Sequence, residues 1–330
     1  MSKLPPMHSS TSRLLLALLL MAAIPVASGE SAQSARTEAT TLVLGTATPG
    51  GGFQLFGQTL ADVINAIDPS LRIETVATQG SSENLTLLEA GAVDIGLVEG
   101  NAAHNSLQGL GRTSADLKVV SVMYPNPGMF VVRADSPYQR IEDLKARPVA
   151  FGTHASGLRL LAYDVLDGIG LNPETDFNPV ILERAADGPR LLLEGKVEAL
   201  WGAGIGWPGF VRAADSASGA RFIAPTGEQV EQILTRHPHL RAMSVPAGSY
   251  RGQKQRIDSV GLWSLILTRP QLPDALAYRL AEAIHRGAQP LSARLAQWRF
   301  TTMQNTATQV PAEHLHPGVV RYLREQGSSD

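Results

Sequence analysis

The chain of 330 residues contains no cysteine. It therefore forms no disulfide, offers no thiolate to a metal ion and has no cysteine that a lipid could modify behind the N-terminal leader. An excess of charge of either sign is lacking too, because 28 lysines and arginines stand against 30 acidic residues, for a net charge of -2. This balance gives no electrostatic reason to expect a nucleic-acid partner.

Apolar runs long enough to span a membrane are also absent. The longest, residues 14–24 (LLLALLLMAAI), follows Lys3 and Arg13 and is shorter than the about 20 residues that a span needs. Small residues follow it as far as Gly29, so residues 1–29 are typical of a secretory signal peptide, with an uncleaved anchor as the alternative. Residues 30–40 are small and polar and predict a flexible leader. We expect an exported, periplasmic protein.

From residue 41, short β-branched runs alternate with helical periodicity. Residues 41–47 (TLVLGTA) predict a strand, and residues 53–67 predict a helix whose Phe56 and Leu60 face inward. Residues 259–270 predict one buried strand. The intervening pattern predicts strands at 71–78, 93–100, 117–124, 128–136, 178–183 and 197–204, a strand and turn at 147–157, and helices at 81–91, 158–170 and 188–196. Such alternation with short connections predicts α/β sheets covered by helices.

One internal similarity suggests two related halves. Residues 85–100 (LTLLEAGAVDIGLVEG) and 190–204 (RLLLEGKVEALWGAG) share a Leu-Leu-Glu segment, a glycine stop and a valine followed by an acid. Each then continues as a strand that runs into glycine. These elements are common ones, so the match is moderate support for a duplicated architecture.

A triple glycine in residues 46–57 (TATPGGGFQLFG) raises the question of a phosphate-binding loop. The pattern is one residue short of that motif, because Gln58 stands where a lysine would reach the phosphates. Helical periodicity already begins at Phe53, which places Gly57 inside the helix. The nucleotide interpretation is therefore disfavoured. Two alternatives stay open: a turn with no ligand, and a turn whose bare backbone N–H groups approach a polar ligand.

Three other segments combine glycine with hydroxyls or tryptophan after a predicted strand. They are residues 78–84 (TQGSSEN), 152–157 (GTHASG) and 201–209 (WGAGIGWPG). Ser81 or Ser82 is also placed to cap the helix that follows. Ligands of α/β sheets bind at the carboxyl ends of strands, against helix N-termini. We therefore expect the four turns to share one cleft.

Hydrolytic chemistry is weakly supported. His154 and Ser156 stand two residues apart, but this spacing does not define a catalytic triad, and a polar helix start explains both better. Arg159 falls in the first turn of a predicted helix, where the helix dipole disfavours a cation. That position suits either an anionic ligand nearby or a side chain that points into solvent. We expect no catalytic residue.

Two histidine pairs could suggest metal binding. They are His237 with His239 (RHPHL) and His314 with His316 (HLHPG). Both pairs adjoin proline and lack a nearby carboxylate cluster in the sequence, so surface loops are favoured. We expect no metal site and no cofactor.

With these segments in hand, the chain resembles the TAXI family, the solute receptors of tripartite ATP-independent periplasmic (TRAP) transporters. The similarity runs from about residue 42 to 326. It is carried by GTATPGGGFQLFGQTLADVI, TVATQGSSENLTLLEAGAVDIGLVEG, VMYPNPGMFVVRADSPYQRIEDLKARPVAFGTHASG, VEALWGAGIGWP and DSVGLWSLILTRPQLPDALAYRLAEAI, in that order.

The resemblance implies an α/β, two-lobed periplasmic binding protein of type II, each lobe a mixed sheet flanked by helices. Hinge strands would join the lobes, with residues 41–127 and 259–330 in lobe I and residues 128–258 in lobe II. It further implies a monomeric, non-catalytic receptor that delivers a small organic acid, glutamate-like or dicarboxylate, to TRAP membrane subunits. A sensor that docks on a membrane signalling protein is the alternative.

Carried onto this chain, the resemblance places ligand contacts in the glycine-rich turns. The expected contacts are Gly51, Gly52, Phe53, Gln79, Gly80, Ser82, Tyr124, Thr153, His154, Ser156, Gly157, Trp201, Gly202, Ala203 and Gly204, with His154 or Arg159 as the charge partner. The chain departs from the family at Phe53, where a tyrosine is common, and at THASGLR, where relatives often read G-S-G-T. Both departures lie in expected ligand turns, where they would affect which solute is bound.

Overall fold

The computed structural model describes residues 39–327 of the chain. The expected signal peptide and nearly all of the leader lie outside these residues. Among the helices of the described part, none is long and apolar enough to cross a membrane.

Strands and helices alternate along most of the chain. The strands are β1 (Thr40–Gly45), β2 (Leu71–Val76), β3 (Ile95–Val98), β4 (Lys118–Pro125), β5 (Gly128–Arg133), β6 (Pro148–Thr153), β7 (Asn178–Leu182), β8 (Ala199–Ala203), β9 (Ala220–Ile223), β10 (Arg241–Val245), β11 (Ile257–Gly261) and β12 (Trp263–Thr268). The α-helices are α1 (Gly52–Ile67), α2 (Ser81–Glu89), α3 (Gly100–Gln108), α4 (Gly157–Gly168), α5 (Asp187–Leu193), α6 (Pro208–Ala214), α7 (Gly227–Arg236), α8 (Asp274–Arg286), α9 (Ala288–Arg294), α10 (Met303–Gln309) and α11 (Pro317–Glu325). Short 3-10 helices occupy Ile141–Leu144, Ala296–Phe300 and Ala312–His314.

Within residues 39–327 the strands form two five-stranded mixed sheets and a two-stranded ribbon. The first sheet has the order β2-β1-β3-β12-β4, and the second has the order β7-β6-β8-β5-β9. In each sheet the first three strands are parallel and the fourth is antiparallel to its neighbours. Each sheet with its helices is called a lobe below, the first lobe and the second lobe. The predicted two-lobed α/β architecture is confirmed.

The internal similarity of the sequence corresponds to equivalent elements of the two lobes. Residues 85–100 run from α2 into β3, and residues 190–204 run from α5 into β8. Both β3 and β8 occupy the third position of their sheets: β3 lies between β1 and β12, and β8 lies between β6 and β5. The shared motif therefore marks the same helix-to-strand unit in each lobe.

The chain passes between the lobes at two adjacent points. β4 leads into β5 through Asn126, and β11 leads into β12 through Leu262. The Asn126 N–H donates to the Leu262 carbonyl at 3.0 Å, and its side-chain amide donates to Ser264 Oγ at 2.7 Å. A Cβ at Gly261 would lie 1.9 Å from the Asn126 carbonyl oxygen, so only glycine permits this approach. These paired segments are the hinge strands.

The expectation of one strand over residues 259–270 is wrong in one respect. The segment forms two strands, β11 and β12, which are interrupted at Leu262 and belong to different sheets. Hydrophobic patterning does not detect the break, because both strands are buried and the change of sheet leaves the run apolar.

The second sheet is covered on both faces, which explains the apolar run of β5. Met129 and Val131 pack into one cluster of buried residues, whereas Phe130 and Val132 pack into another. Successive side chains of a strand point to opposite faces, so the two clusters lie on opposite sides of the sheet. All four residues are fully buried.

Helix α1 packs on the first sheet through the predicted apolar face. Phe56 and Leu60 are fully buried, and the Phe56 ring stacks on Trp298 with a centroid distance of 3.8 Å. Gly57 is also buried, and a Cβ there would lie 2.5 Å from Thr46 Cγ2. This glycine therefore serves the close packing of helix on strand.

The Phe56 contact gives a stability prediction. Phe56→Ala should lower the free energy of unfolding by about 3–5 kcal/mol, because it leaves a cavity beside Trp298. Urea denaturation measures the change. Leu55→Ala on the same helix is the matched control, since Leu55 is 43% exposed and its loss should cost within about 0.5 kcal/mol. Equal effects of the two substitutions would contradict this packing.

Candidate functional site

A cavity of about 70 Å³ lies between the two lobes, next to the hinge strands. The four glycine-rich turns all contribute to its wall. Its lining consists of Ala47, Thr48, Gly51, Gly52, Phe53, Gln79, Gly80, Ser81, Glu99, Tyr124, Asn126, Phe151, Gly152, Thr153, Ser156, Gly157, Leu158, Leu182, Ala185, Trp201 and Trp207.

Three long helices begin at this cavity. Gly52 is the first residue of α1, Ser81 of α2 and Gly157 of α4, and all three line the wall. The first N–H groups of a helix have no partner within it, and the helix dipole places partial positive charge there. The cavity is therefore surrounded by backbone donors from both lobes.

The lobes touch along one edge of the cavity. The Ser82 N–H donates to the Ala155 carbonyl at 3.2 Å, and Thr153 Oγ1 donates to the Gln79 carbonyl at 3.2 Å. Gly80 has φ 126°, a conformation that favours glycine, and a Cβ there would lie 3.0 Å from the Ala155 carbonyl oxygen. This glycine lets the two backbones meet.

A second contact closes the opposite edge. Thr48 Oγ1 accepts the Ala185 N–H at 3.1 Å. Gly50, at φ 80°, lies so close to the next residue of the second lobe that a Cβ would be 2.6 Å from Ala186 Cβ. With contacts on both edges, the structure shows the lobes closed on each other.

The start of α2 differs from expectation. Ser81 or Ser82 was expected to cap this helix, and that prediction is wrong, because Gly80 occupies the N-cap position and no side chain caps it. The Ser81 hydroxyl instead accepts the N–H of Glu99 at 3.0 Å. The serine thus joins two neighbouring strand-to-helix turns of the first lobe at the cavity.

Glu99 is the acidic group of the cavity and was not identified from the sequence. It caps α3, where its Oε2 accepts the N–H of Asn101 at 2.9 Å and that of Ala102 at 3.4 Å. Its other oxygen, Oε1, is buried without a hydrogen-bond partner in the described part of the chain. Burial raises the pKa of the Glu99 carboxyl to about 8, with a contribution from the charge of Asp164. The side chain is therefore mostly protonated at neutral pH.

Aromatic side chains form the remaining wall. Trp207 lies in the expected turn 201–209 but was not among the expected contacts; it covers Gly52 and Gly202, since a Cβ on these glycines would meet its ring at 3.2 Å and 2.7 Å, respectively. Trp201 is buried and donates its Nε1–H to the Leu158 carbonyl at 2.7 Å. Burial raises the pKa of the Tyr124 hydroxyl, which therefore stays protonated and can donate.

Most of the sequence-predicted contacts lie at the cavity, and six do not. Those that line it are Gly51, Gly52, Phe53, Gln79, Gly80, Tyr124, Thr153, Ser156, Gly157 and Trp201. Ser82, His154, Arg159, Gly202, Ala203 and Gly204 are absent from the lining. Gly202 lies behind the Trp207 ring, and Gly204 accepts a hydrogen bond from the Tyr250 hydroxyl at 2.7 Å.

The two expected charge partners point away from the cavity. His154 is exposed. Arg159 donates to the Tyr163 hydroxyl at 2.8 Å and to Glu174 at 3.4 Å, on the outer side of α4. Among the described residues that line the cavity, none is a lysine, an arginine or a histidine. Any anion bound there would be held by dipoles and hydroxyls.

Several lining residues carried no usable signal in the sequence. Thr48 and Ala185 stand 137 residues apart, and only the closing of the lobes brings them together. Glu99 comes directly after a buried strand and directly before a glycine, and this position is the only local signal for it in the sequence. The sequence does not say whether such a side chain points inward or into solvent.

Comparison with known proteins identifies the family. Residues 44–327 match the NMT1-like family. The chain belongs to this family. The match covers both lobes and the hinge strands of this NMT1-like protein.

Solved structures share the fold of this NMT1-like protein at low identity. The periplasmic aliphatic sulphonate binding protein SsuA from Escherichia coli is 20% identical, with a TM-score of 0.50 over 87% of this chain and 84% of that one. A protein named for an L-cystine ABC transporter, from Listeria monocytogenes, is 15% identical, with a TM-score of 0.50 over 79% and 96%. A peroxide-bound mutant of OxyR from Corynebacterium glutamicum is 13% identical, with a TM-score of 0.51 over 82% and 71%. The fold is that of the type II periplasmic binding proteins.

The buried Glu99 carboxyl gives a pH prediction. Its pKa of about 8 exceeds the ordinary 4.5, so the folded state holds a proton that the unfolded state releases between these values. The part of the free energy of unfolding that depends on this proton should therefore fall as pH rises from about 4.5 to about 8, by roughly 1 kcal/mol per pH unit. Glu99→Gln should remove this slope, as measured by urea denaturation from pH 5 to pH 9.

The control for this comparison is Glu231→Gln, which alters an exposed carboxylate. It should leave the pH dependence of the wild type unchanged. If Glu99→Gln and Glu231→Gln gave the same profile, the Glu99 carboxyl would not be the group that holds the proton.

Proposed function

We propose that this protein is a non-catalytic, periplasmic solute receptor that captures a small anionic organic solute and delivers it to TRAP membrane subunits. The observation that carries the proposal is the meeting of three helix N-termini at a closed interlobe cavity whose described lining holds no cationic side chain. The proposed ligand contacts are the ten lining residues that the sequence indicated, together with Glu99 and Trp207.

The helix N-termini support an anionic solute. Each carries the equivalent of about half a positive charge, and such ends are common binding sites for carboxylate and phosphate. Ser156 and Tyr124 add hydroxyl donors at the same wall. The small volume of the closed cavity favours a solute of a few carbon atoms.

Glu99 limits the class of solute further. Beside a second carboxylate it would stay protonated and donate a hydrogen bond, which suits a dicarboxylate. Beside an ammonium group it would ionise and pair with the charge, which suits a glutamate-like amino acid. Both remain within the proposed substrate class, and the carboxyl of Glu99 is the group that distinguishes them.

Closure of the lobes is the proposed binding motion. Residues 41–127 and 259–330 would move as one body and residues 128–258 as the other, about the paired segments at Asn126 and Leu262. The contacts at both edges of the cavity would then enclose the solute. The described lining contains serine and threonine hydroxyls but no histidine or lysine beside them to act as a base, which supports a binding role.

A ligand screen tests the solute class. L-glutamate, succinate and related carboxylates should raise the melting temperature of the purified protein. At a hundred times its Kd a ligand adds about 2.7 kcal/mol of stability, which corresponds to several degrees because each kcal/mol is worth about 2–4 °C. Glu99→Gln should weaken the binding of an amino acid far more than the binding of a dicarboxylate. The solute class is wrong if no carboxylate raises the melting temperature.

Two glycine variants provide a matched pair for this screen. Gly157→Ala should abolish the rise in melting temperature caused by the ligand, because the added Cβ would keep the lobes apart. It would lie 2.4 Å from Glu99 Cβ and 2.8 Å from Ser81 Oγ across the cavity edge. Gly227→Ala also alters the first residue of a helix in the second lobe, but its Cβ would meet nothing within 4 Å. Retention of the shift by Gly157→Ala would contradict closure as the binding step.

The transport partner has its own test. The sequence resemblance to TAXI receptors, carried by segments from both lobes, supports delivery to TRAP subunits. With the solute identified, membrane vesicles that contain the membrane subunits encoded beside this protein should take it up on an imposed sodium gradient without ATP. Uptake that requires ATP and ignores the gradient would assign the receptor to an ABC transporter.

A further inference from the structure

A second polar cluster lies in the second lobe, away from the cavity lining. Asp164 projects from α4, and His237 and His239 follow the end of α7 on either side of Pro238. One ligand atom from each of these three side chains lies within 4.8 Å of the others. The three side chains are 16–25% exposed, so an ion from solution can reach them.

The spacing of these atoms suits a metal ion. His239 Nε2 lies 3.1 Å from Asp164 Oδ2, and His237 Nδ1 lies 3.8 Å from Asp164 Oδ1. Ligand bonds of about 2.0–2.2 Å in tetrahedral geometry place neighbouring ligand atoms roughly 3.3–3.6 Å apart. The observed separations bracket this range, and small side-chain rotations would bring both imidazoles to a shared ion.

The side chains around the cluster are arranged as outer-shell partners. The other nitrogen of His237, Nε2, lies 2.9 Å from Asp167 Oδ2, so its N–H can donate to that carboxylate and leave Nδ1 free as a ligand. Arg236 donates to Asp167 Oδ1 at 2.8 Å and fixes it. Histidine ligands of metals commonly donate their second N–H to a carboxylate in this way, which sets the tautomer and the ring orientation.

The first lobe also reaches the cluster. Asn101 donates to Asp164 Oδ2 at 2.6 Å. The His104 ring stacks on His239 with a centroid distance of 4.5 Å. Both contacts hold a side chain of the cluster in place from across the interface between the lobes.

We propose that Asp164, His237 and His239 bind one divalent transition-metal ion, with water at the fourth position. Two imidazoles and one carboxylate suit Zn²⁺, Co²⁺, Ni²⁺ or Cu²⁺ rather than the oxygen-preferring Ca²⁺ and Mg²⁺. Asp167 acts through His237 and is a positioning residue. The site is separate from the solute cavity and does not depend on the identity of the solute.

Calorimetric titration of the untagged protein with Zn²⁺ tests the site, and visible absorption of added Co²⁺ reports its coordination. One ion should bind per chain, and the Co²⁺ bands should have the intensity of a four-coordinate site. His237→Gln and, separately, His239→Gln should abolish this binding. Asp167→Asn should weaken it about 10–100-fold while leaving a 1:1 stoichiometry.

The matched control is His314→Gln, which removes a partly buried histidine outside the cluster and should leave the affinity unchanged. Melting curves without metal show whether each variant is folded, and two separate histidine variants protect the test against misfolding of one. Absence of saturable 1:1 binding by the wild type, or full binding by both His237→Gln and His239→Gln, would overturn the proposal. The cluster would then be an ion-pair network alone.

Discussion

The close approach of the two hinge segments is the constraint on which the rest of the structure depends. Gly261 lies against the Asn126 carbonyl with no room for a Cβ, and Asn126 bonds to Leu262 and Ser264 on the neighbouring segment. The chain therefore leaves the first sheet and returns to it at one place. Each sheet is left with one antiparallel strand that comes from this crossing, and the cavity opens beside it.

The duplicated strand order then decides what faces the cavity. In both lobes the carboxyl ends of parallel strands lead into helices that begin at the interface, so the two sets of helix N-termini oppose each other. Gly80 and Gly157 allow the backbones to meet there, since a Cβ at Gly157 would overlap Glu99. Burial of Glu99 follows from the same closure and keeps its carboxyl mostly protonated at neutral pH.

Most of the secondary structure could be predicted from the sequence. Periodicity predicted α1 and its buried face, and the continuous apolar run of β5 was recognised as a strand, because burial on one or two faces leaves a direct pattern in the sequence. Two expectations failed for the same reason. The break at Leu262 and the role of Ser81 depend on partners from other elements, the ribbon strand β10 in one case and Glu99 in the other.

The sequence alone determined the alternation of strands and helices, the paired architecture and the four glycine-rich turns, because these depend on short-range periodicity and on the conformational freedom of glycine. Only the tertiary structure decided which side chains face one another. Asp164 lies 75 residues from His239 and Thr48 lies 137 residues from Ala185, so no local pattern relates them. Arg159 likewise turned outward because Tyr163 and Glu174 offer it partners there. The direction of a side chain depends on contacts made in the folded chain, many of them with residues that are distant in the sequence, and these contacts cannot be predicted from spacing along the chain.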